Sequence, residues 1–232
     1  MSTAAPHAPM DPAIVVGRTR EDVVVGKEIV RHRLWSRLAH WIVALTFAVC
    51  LLTGMPIWTP VFGWMAHLFG GLSVCRVIHP WAGVAFFLAA GIQFVEWIGD
   101  MHFESWERDW IGPRVFRYMR YEADDPRTGK YNGGQKLYFW AVSLGALGLL
   151  LSGLMMWFPT SFPKPLMELA YLVHDFTFIC FAVSLVFHIY LGTAAEPGTF
   201  GSMTRGTVTR PWARLHHPRW YREVTGEEPR RG

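Results

Sequence analysis

Cysteine is scarce in this chain, and so is charge inside its long apolar runs. Cys50, Cys75 and Cys180 are the three cysteines in 232 residues, each set among apolar neighbours. None belongs to a C-x-x-C pair, which excludes the usual ligand patterns for iron–sulfur clusters and structural zinc, and no C-x-x-C-H run is present for covalent haem attachment. The three read as packing residues. A continuous basic stripe is also missing: despite a formal net charge of +4, the cations gather in particular loops, which sets a nucleic-acid partner aside. The first 30 residues carry Pro, Ala, charge and short valine runs, but no apolar stretch ahead of a small-residue cleavage site. No cleaved signal peptide is therefore expected, and the N-terminus is expected to stay in the cytoplasm.

Apolar residues are what the chain has in excess. They make up 51% of it, aromatics make up 15%, and the mean hydropathy of +0.19 is too high for an ordinary soluble domain of this length. Four segments, Leu38 to Trp58, His79 to Ile98, Leu137 to Phe158 and Leu166 to Ala194, are long enough to cross a hydrocarbon core of about 30 Å as helices. The expectation is an all-α membrane protein: a four-transmembrane-helix bundle over residues 31–200, an N-terminal extension over 1–30 and a C-terminal tail over 201–232.

Charge orients the bundle. The loop from Thr59 to Ile78 and the turn from Pro159 to Pro165 hold one cation each, Arg76 and Lys164. Arg31, Arg33 and Arg37 precede the first span; Arg108, Arg114, Arg117, Arg120, Arg127, Lys130 and Lys136 crowd the middle connection; Arg205, Arg210, Arg214, Arg219 and Arg222 lie in the tail. The positive-inside rule places both termini and the middle connection in the cytoplasm. Trp41, Trp58, Trp97, Trp140 and Trp157 close the apolar runs as interfacial anchors. The middle connection, with Trp106 and Trp110 among its charges, fits an amphipathic surface helix.

Four histidines, His40, His79, His174 and His188, lie within or at the mouth of these spans. Polar side chains at membrane depth are costly, so each marks a candidate site. His174 and His188 are 14 residues apart, which returns them to within about 40° of one face and separates them by roughly 21 Å along the axis. Alternating span directions pair His40 with His188 near the cytoplasmic surface and His79 with His174 near the outer one. Two imidazoles at equal depth on facing helices suit a six-coordinate haem iron, and the arrangement occurs twice. Two haem b groups so held have no open coordination position and transfer electrons, leaving bond chemistry to a partner. This chain should therefore hold no catalytic residue of its own. Gly54, Gly83 and Phe181 read as room for, and a spacer between, the macrocycles. Arg37 and Arg76, each one turn before a candidate ligand, are candidates to pair with propionates.

The runs Ser36 to Trp41 (SRLAHW), Cys75 to Pro80 (CRVIHP), Gly129 to Lys136 (GKYNGGQK) and His216 to Glu223 (HHPRWYRE), with the two histidines of the fourth span, resemble the cytochrome b (gamma) subunit of membrane-bound respiratory formate dehydrogenase. The resemblance covers about residues 30 to 224. It implies a bacterial inner-membrane subunit that anchors an iron–sulfur beta subunit and, through it, a molybdenum- or tungsten-containing alpha subunit on the outer side. It further implies electron flow from the outer haem to the inner haem and on to a quinone near the cytoplasmic surface. His79 and His174 would ligate the outer haem, and His40 and His188 the inner. Asn132, Gly134 and Gln135, in the matching polar turn, would adjoin the quinone.

Three other readings are weighed beside this. A sister cytochrome b subunit of a hydrogenase or thiosulfate reductase would share the bundle and differ around Gly129 to Lys136 and His216 to Glu223. A metal-ion carrier would use the same histidines as transient ligands and need acidic ones too, for which Glu96 is the obvious candidate. A purely structural anchor with packed histidines fits least, because the four pair twice by depth.

Overall fold

The computed structural model describes residues 11–111 and 125–228, which fall into two compact units. The surface helix expected in the middle connection is described only over its start, Ser105–Ile111, as a 3-10 turn. Arg114, Arg117 and Arg120 lie outside the described residues.

The larger unit holds four helices long and apolar enough to cross a membrane: α2 (Leu34–Trp58), α3 (Leu72–Trp97), α4 (Gly133–Trp157) and α5 (Lys164–Tyr190). They begin two to seven residues ahead of the apolar runs, because polar and aromatic residues complete the first turns. Leu72 to Ile78 extends α3 so that His79 lies two turns inside it, not at its mouth. At α4 the start is a capping box: the Asn132 side chain accepts from the Gln135 amide at 2.9 Å, and the Gln135 side chain accepts from the Asn132 amide at 3.0 Å. Pro165 in the first turn of α5 starts that helix without needing an amide donor. Bulky residues face outward along all four helices, Leu45, Leu88, Leu144 and Val186 among them, as a lipid solvent favours.

Inside, a seven-residue rhythm stacks the contents of the bundle in layers. His40, Phe47 and Gly54 lie on α2; His79 and Phe86 on α3; Tyr138, Gly145 and Ser152 on α4; His174, Phe181 and His188 on α5. Seven residues are close to two turns, a rise of about 10.5 Å, so each series stays on one face. In the middle layer the Phe47, Phe86 and Phe181 rings meet, with centres 5.5 Å (47–86), 5.6 Å (47–181) and 6.2 Å (86–181) apart. A Cβ on residue 145 would collide with the Phe181 ring, so glycine is what admits the ring between α4 and α5. Phe94 on α3 stacks on Phe139 of α4, 5.5 Å between centres and 7° between planes.

The second unit gathers residues 11–37, 125–130 and 192–228. It contains α1 (Pro12–Val16), a hairpin of β1 (Val23–Val25) and β2 (Glu28–Val30), then α6 (Thr199–Thr204), β3 (Thr207–Thr209), α7 (Arg210–His216) and α8 (Pro218–Thr225). Both strand pairings are antiparallel, in the order β1-β2-β3, with Ile29 opposite Val208. This small sheet adds to the expected helical plan. Ile29, Val208, Trp212, Ala213, Trp220 and Tyr221 form its buried core. Arg31 lies over the Trp212 and Trp220 rings at 4.8 and 5.7 Å and donates to the Lys130 carbonyl at 2.6 Å.

Candidate functional site

The histidines come together in the pairs that depth predicts. His40 and His188 have ring centres 6.0 Å apart, and His79 and His174 have theirs 6.2 Å apart. Two imidazoles binding one metal ion from opposite sides, at about 2 Å per bond, would put their ring centres about 6 Å apart. Both pairs therefore fit a six-coordinate haem iron. Among the described residues no three side chains of His, Cys, Asp or Glu gather to hold a metal ion, so Glu96 extends neither pair.

The His79–His174 pair is held by hydroxyls. Nδ1 of His79 lies 3.2 Å from Thr53 Oγ1 and 3.2 Å from the Cys50 carbonyl. Nδ1 of His174 lies 3.0 Å from Ser152 Oγ. Each hydroxyl is already donating within its own helix, Thr53 to the Val49 carbonyl and Ser152 to the Gly148 carbonyl, both at 2.6 Å. With its proton spent, each oxygen can only accept from the histidine, so both Nδ1 atoms carry hydrogen and both Nε2 atoms keep a free lone pair. A glycine follows each hydroxyl. A Cβ on Gly54 would come within 2.8 Å of His79 Cε1, and one on Gly153 within 3.4 Å of His174 Cε1. Gly54 thus makes room for the histidine itself, where the sequence reading assigned the space to a macrocycle. A Cβ on Gly83 would meet no other side chain within 4 Å among the described residues.

The His40–His188 pair is built differently. His188 stacks on Tyr138, 4.9 Å between centres and 5° between planes, and His40 meets Trp41 edge-on at 5.3 Å. His188 is exposed while the other three histidines are half-buried. His40 Nδ1 is buried with no hydrogen-bond partner among the described residues. Tyr138 was missed in the sequence because an aromatic in an apolar helix carries no mark of its stacking partner.

Around the start of α4, the capping box uses the side-chain oxygens of Asn132 and Gln135, so a ligand oxygen would have to be met by amide N–H groups. Gly134 is half-buried on the same turn. Beside it runs a buried ion pair that sequence reasoning did not find: Lys136 Nζ lies 2.7 Å from Glu107 Oε2. The same carboxylate oxygen accepts from the Glu104 amide at 2.8 Å. Trp140 Nε1 donates to the Met101 carbonyl at 3.0 Å, fastening the connection to α4.

The two candidate arginines differ. Arg76 is exposed at the start of the second turn of α3. Arg37 is buried, and its Nη1 donates to the Thr204 carbonyl at 2.8 Å. The sequence runs around Gly129 and His216 meet in the smaller unit. His217, fully buried, donates from Nδ1 to the Gly129 carbonyl at 2.7 Å, and the Arg219 amide donates to the Thr128 carbonyl at 3.0 Å. Burial, with the Arg31 charge nearby, holds the His217 imidazole well below its ordinary range.

Comparison with known proteins places the chain as a whole. The model of the family described as prokaryotic cytochrome b561 matches residues 31–206. Over 200 residues the chain is 34% identical to the formate dehydrogenase cytochrome b556(fdo) subunit of Escherichia coli (strain K12), covering 84% of this chain and 93% of the relative. It is 31% identical over 208 residues to the nitrate-inducible formate dehydrogenase cytochrome b556(Fdn) subunit of the same strain, covering 88% and 95%. A formate dehydrogenase cytochrome b556 subunit of Haemophilus influenzae is 32% identical over 202 residues, covering 84% and 83%.

Proposed function

The chain belongs to the prokaryotic cytochrome b561 family, and from that premise we propose that it is the dihaem cytochrome b subunit of a bacterial formate dehydrogenase complex. In this reading it anchors an iron–sulfur subunit, and through it a molybdenum- or tungsten-containing subunit, on the outer face of the inner membrane. It carries their electrons to a quinone near the cytoplasmic face. The observation that carries the proposal is the double pairing of histidines, 6.0 and 6.2 Å between ring centres, on helices of the right length. Similarity to formate dehydrogenase cytochrome b556 subunits over most of the chain supports the choice of complex.

His79 and His174 would hold the outer haem b, and His40 and His188 the inner one. Haem iron bound by two imidazoles supplies one-electron transfer without an open position for substrate. The protein's own contribution is orientation and exclusion. Thr53, Cys50 and Ser152 accept the Nδ1 protons of the outer pair, Tyr138 stacks on one face of His188, and the Phe47, Phe86 and Phe181 cluster keeps the middle layer dry. Arg76, exposed one turn before His79, and Arg37, before His40, are the proposed propionate partners. The amide groups of Asn132 and Gln135 and the backbone at Gly134 are the proposed quinone contacts, with protons drawn from the cytoplasm. The cation-rich segments before α2 and after α5 support cytoplasmic termini. An electron moved inward across the bilayer is worth about 2.3 kcal/mol per 100 mV, so such a subunit would help charge the membrane.

The deciding experiment is the dithionite-reduced minus oxidised visible spectrum of the detergent-purified protein, with pyridine haemochrome quantitation. Two b-type haems per chain with low-spin bands are expected. A folded protein without haem, made with haem available, would overturn the proposal.

A further inference from the structure

The two outer histidines are served by the same local device on different helices. On α2 it is Thr53-Gly54: the hydroxyl donates to the carbonyls of residues 49 and 50 at 2.6 and 3.4 Å and faces His79 Nδ1. On α4 it is Ser152-Gly153: the hydroxyl donates to the carbonyls of residues 148 and 149 at 2.6 and 3.3 Å and faces His174 Nδ1. The carbonyl of the residue three positions before each hydroxyl also meets the histidine, Cys50 for His79 and Leu149 for His174. In both cases the following glycine leaves the space that the imidazole edge occupies. Thr53 and Ser152 are themselves fully or almost fully buried. Nothing comparable serves His40, whose Nδ1 lacks a partner among the described residues.

We infer that Thr53 and Ser152 are positioning residues for the outer haem, fixing both of its ligands in the Nδ1-protonated form and lowering its reduction potential relative to the inner haem. The inference rests on the two-haem reading above. An N–H held by an acceptor makes the opposite ring nitrogen a stronger donor. Stronger donation favours the oxidised iron and so lowers the potential. The outer pair has this support on both sides of the iron, and His40 in the inner pair does not. The resulting order makes transfer from the outer to the inner position downhill, the direction needed for delivery to a quinone on the cytoplasmic side. Removing either hydroxyl leaves only a backbone carbonyl for the Nδ1 proton and weakens that support.

The test is a potentiometric titration of the haem spectra in the complete membrane complex for wild type, Thr53→Val, Ser152→Ala and the conservative pair Thr53→Ser and Ser152→Thr. Haem content is measured alongside, and the outer component is identified by its loss in His174→Ala. Both haems should be retained. The outer component should shift to higher potential in Thr53→Val and in Ser152→Ala, the inner should stay in place, and the conservative variants should titrate like wild type. Should Thr53→Val shed the outer haem, Ser152→Ala, which removes a single oxygen and no carbon, decides. An unchanged outer potential with haem retained overturns the inference and leaves the two-haem reading standing. An equal shift of both haems overturns it too, as a general effect of loosened packing. A wild-type complex with no haem in this chain overturns both.

Discussion

The Cε1 carbon of His79 lies where a methyl group on Gly54 would come within 2.8 Å of it. That is closer than side-chain carbons approach, and the ring, held by Thr53 and the Cys50 carbonyl, has little freedom to retreat. Gly54→Ala is therefore expected to turn His79 out of line and cost most of the outer haem. Gly153→Ala, whose added carbon would stand 3.4 Å from His174 Cε1, should keep that haem. Pyridine haemochrome assays of the two variants measure the difference.

Removing one ligand from each pair separates the two positions. His174→Ala should abolish the outer haem and leave the inner largely intact. His188→Ala should do the reverse and impair quinone reduction as well. Difference spectra at low temperature resolve the components, and equal loss of both in each variant would contradict the pairing by depth.

Much of this site could be read before the structure. Long apolar runs announced the spans, and the histidine spacing on the fourth announced two pairs of rings at two levels of the bundle, because a helix has a known rise and turn. The dipeptides Thr53-Gly54 and Ser152-Gly153 were also visible, yet a hydroxyl next to a glycine in a membrane helix ordinarily satisfies its own backbone. Only the facing helix shows that it also meets an imidazole. The Asn132-x-x-Gln135 spacing is a capping-box signature that the chemistry of a quinone site overshadowed. The Glu107–Lys136 pair and the sheet were not legible. Their partners are far apart in sequence, and strands of three residues leave no periodic signal.

Lys136 and Glu107 are both buried, with side chains 6% and 1% exposed. Breaking such a pair from one side strands a charge without solvent, at a cost of about 3–5 kcal/mol. Lys136→Met should lower the detergent melting temperature sharply, and the double variant Lys136→Met with Glu107→Gln should recover part of the loss. Melting curves followed by tryptophan fluorescence test both.

His217 makes the smaller unit sensitive to acid. Its folded-state affinity for a proton lies well below the ordinary 6.5, so below that pH the unfolded segment takes up a proton that the folded one refuses. Stability contributed by this residue is complete above about pH 6.5 and falls as pH drops, by at most about 1.4 kcal/mol per pH unit. Hydrogen-exchange protection factors of residues 207–225, which are corrected for the intrinsic pH dependence of exchange, should fall between pH 7 and 5, and His217→Gln should flatten that dependence.

The strand pairing Val30 with Thr207 has a consequence for how the protein is made. The first two strands leave the ribosome before any span does, while the third follows all four, about 180 residues later, and long-range pairing of this kind is slow to form. Until then β2 keeps an unpaired edge. Completion of the sheet therefore reports that all four spans have been synthesised, and a chain cut short within α5 would carry that open edge as a visible mark for quality control.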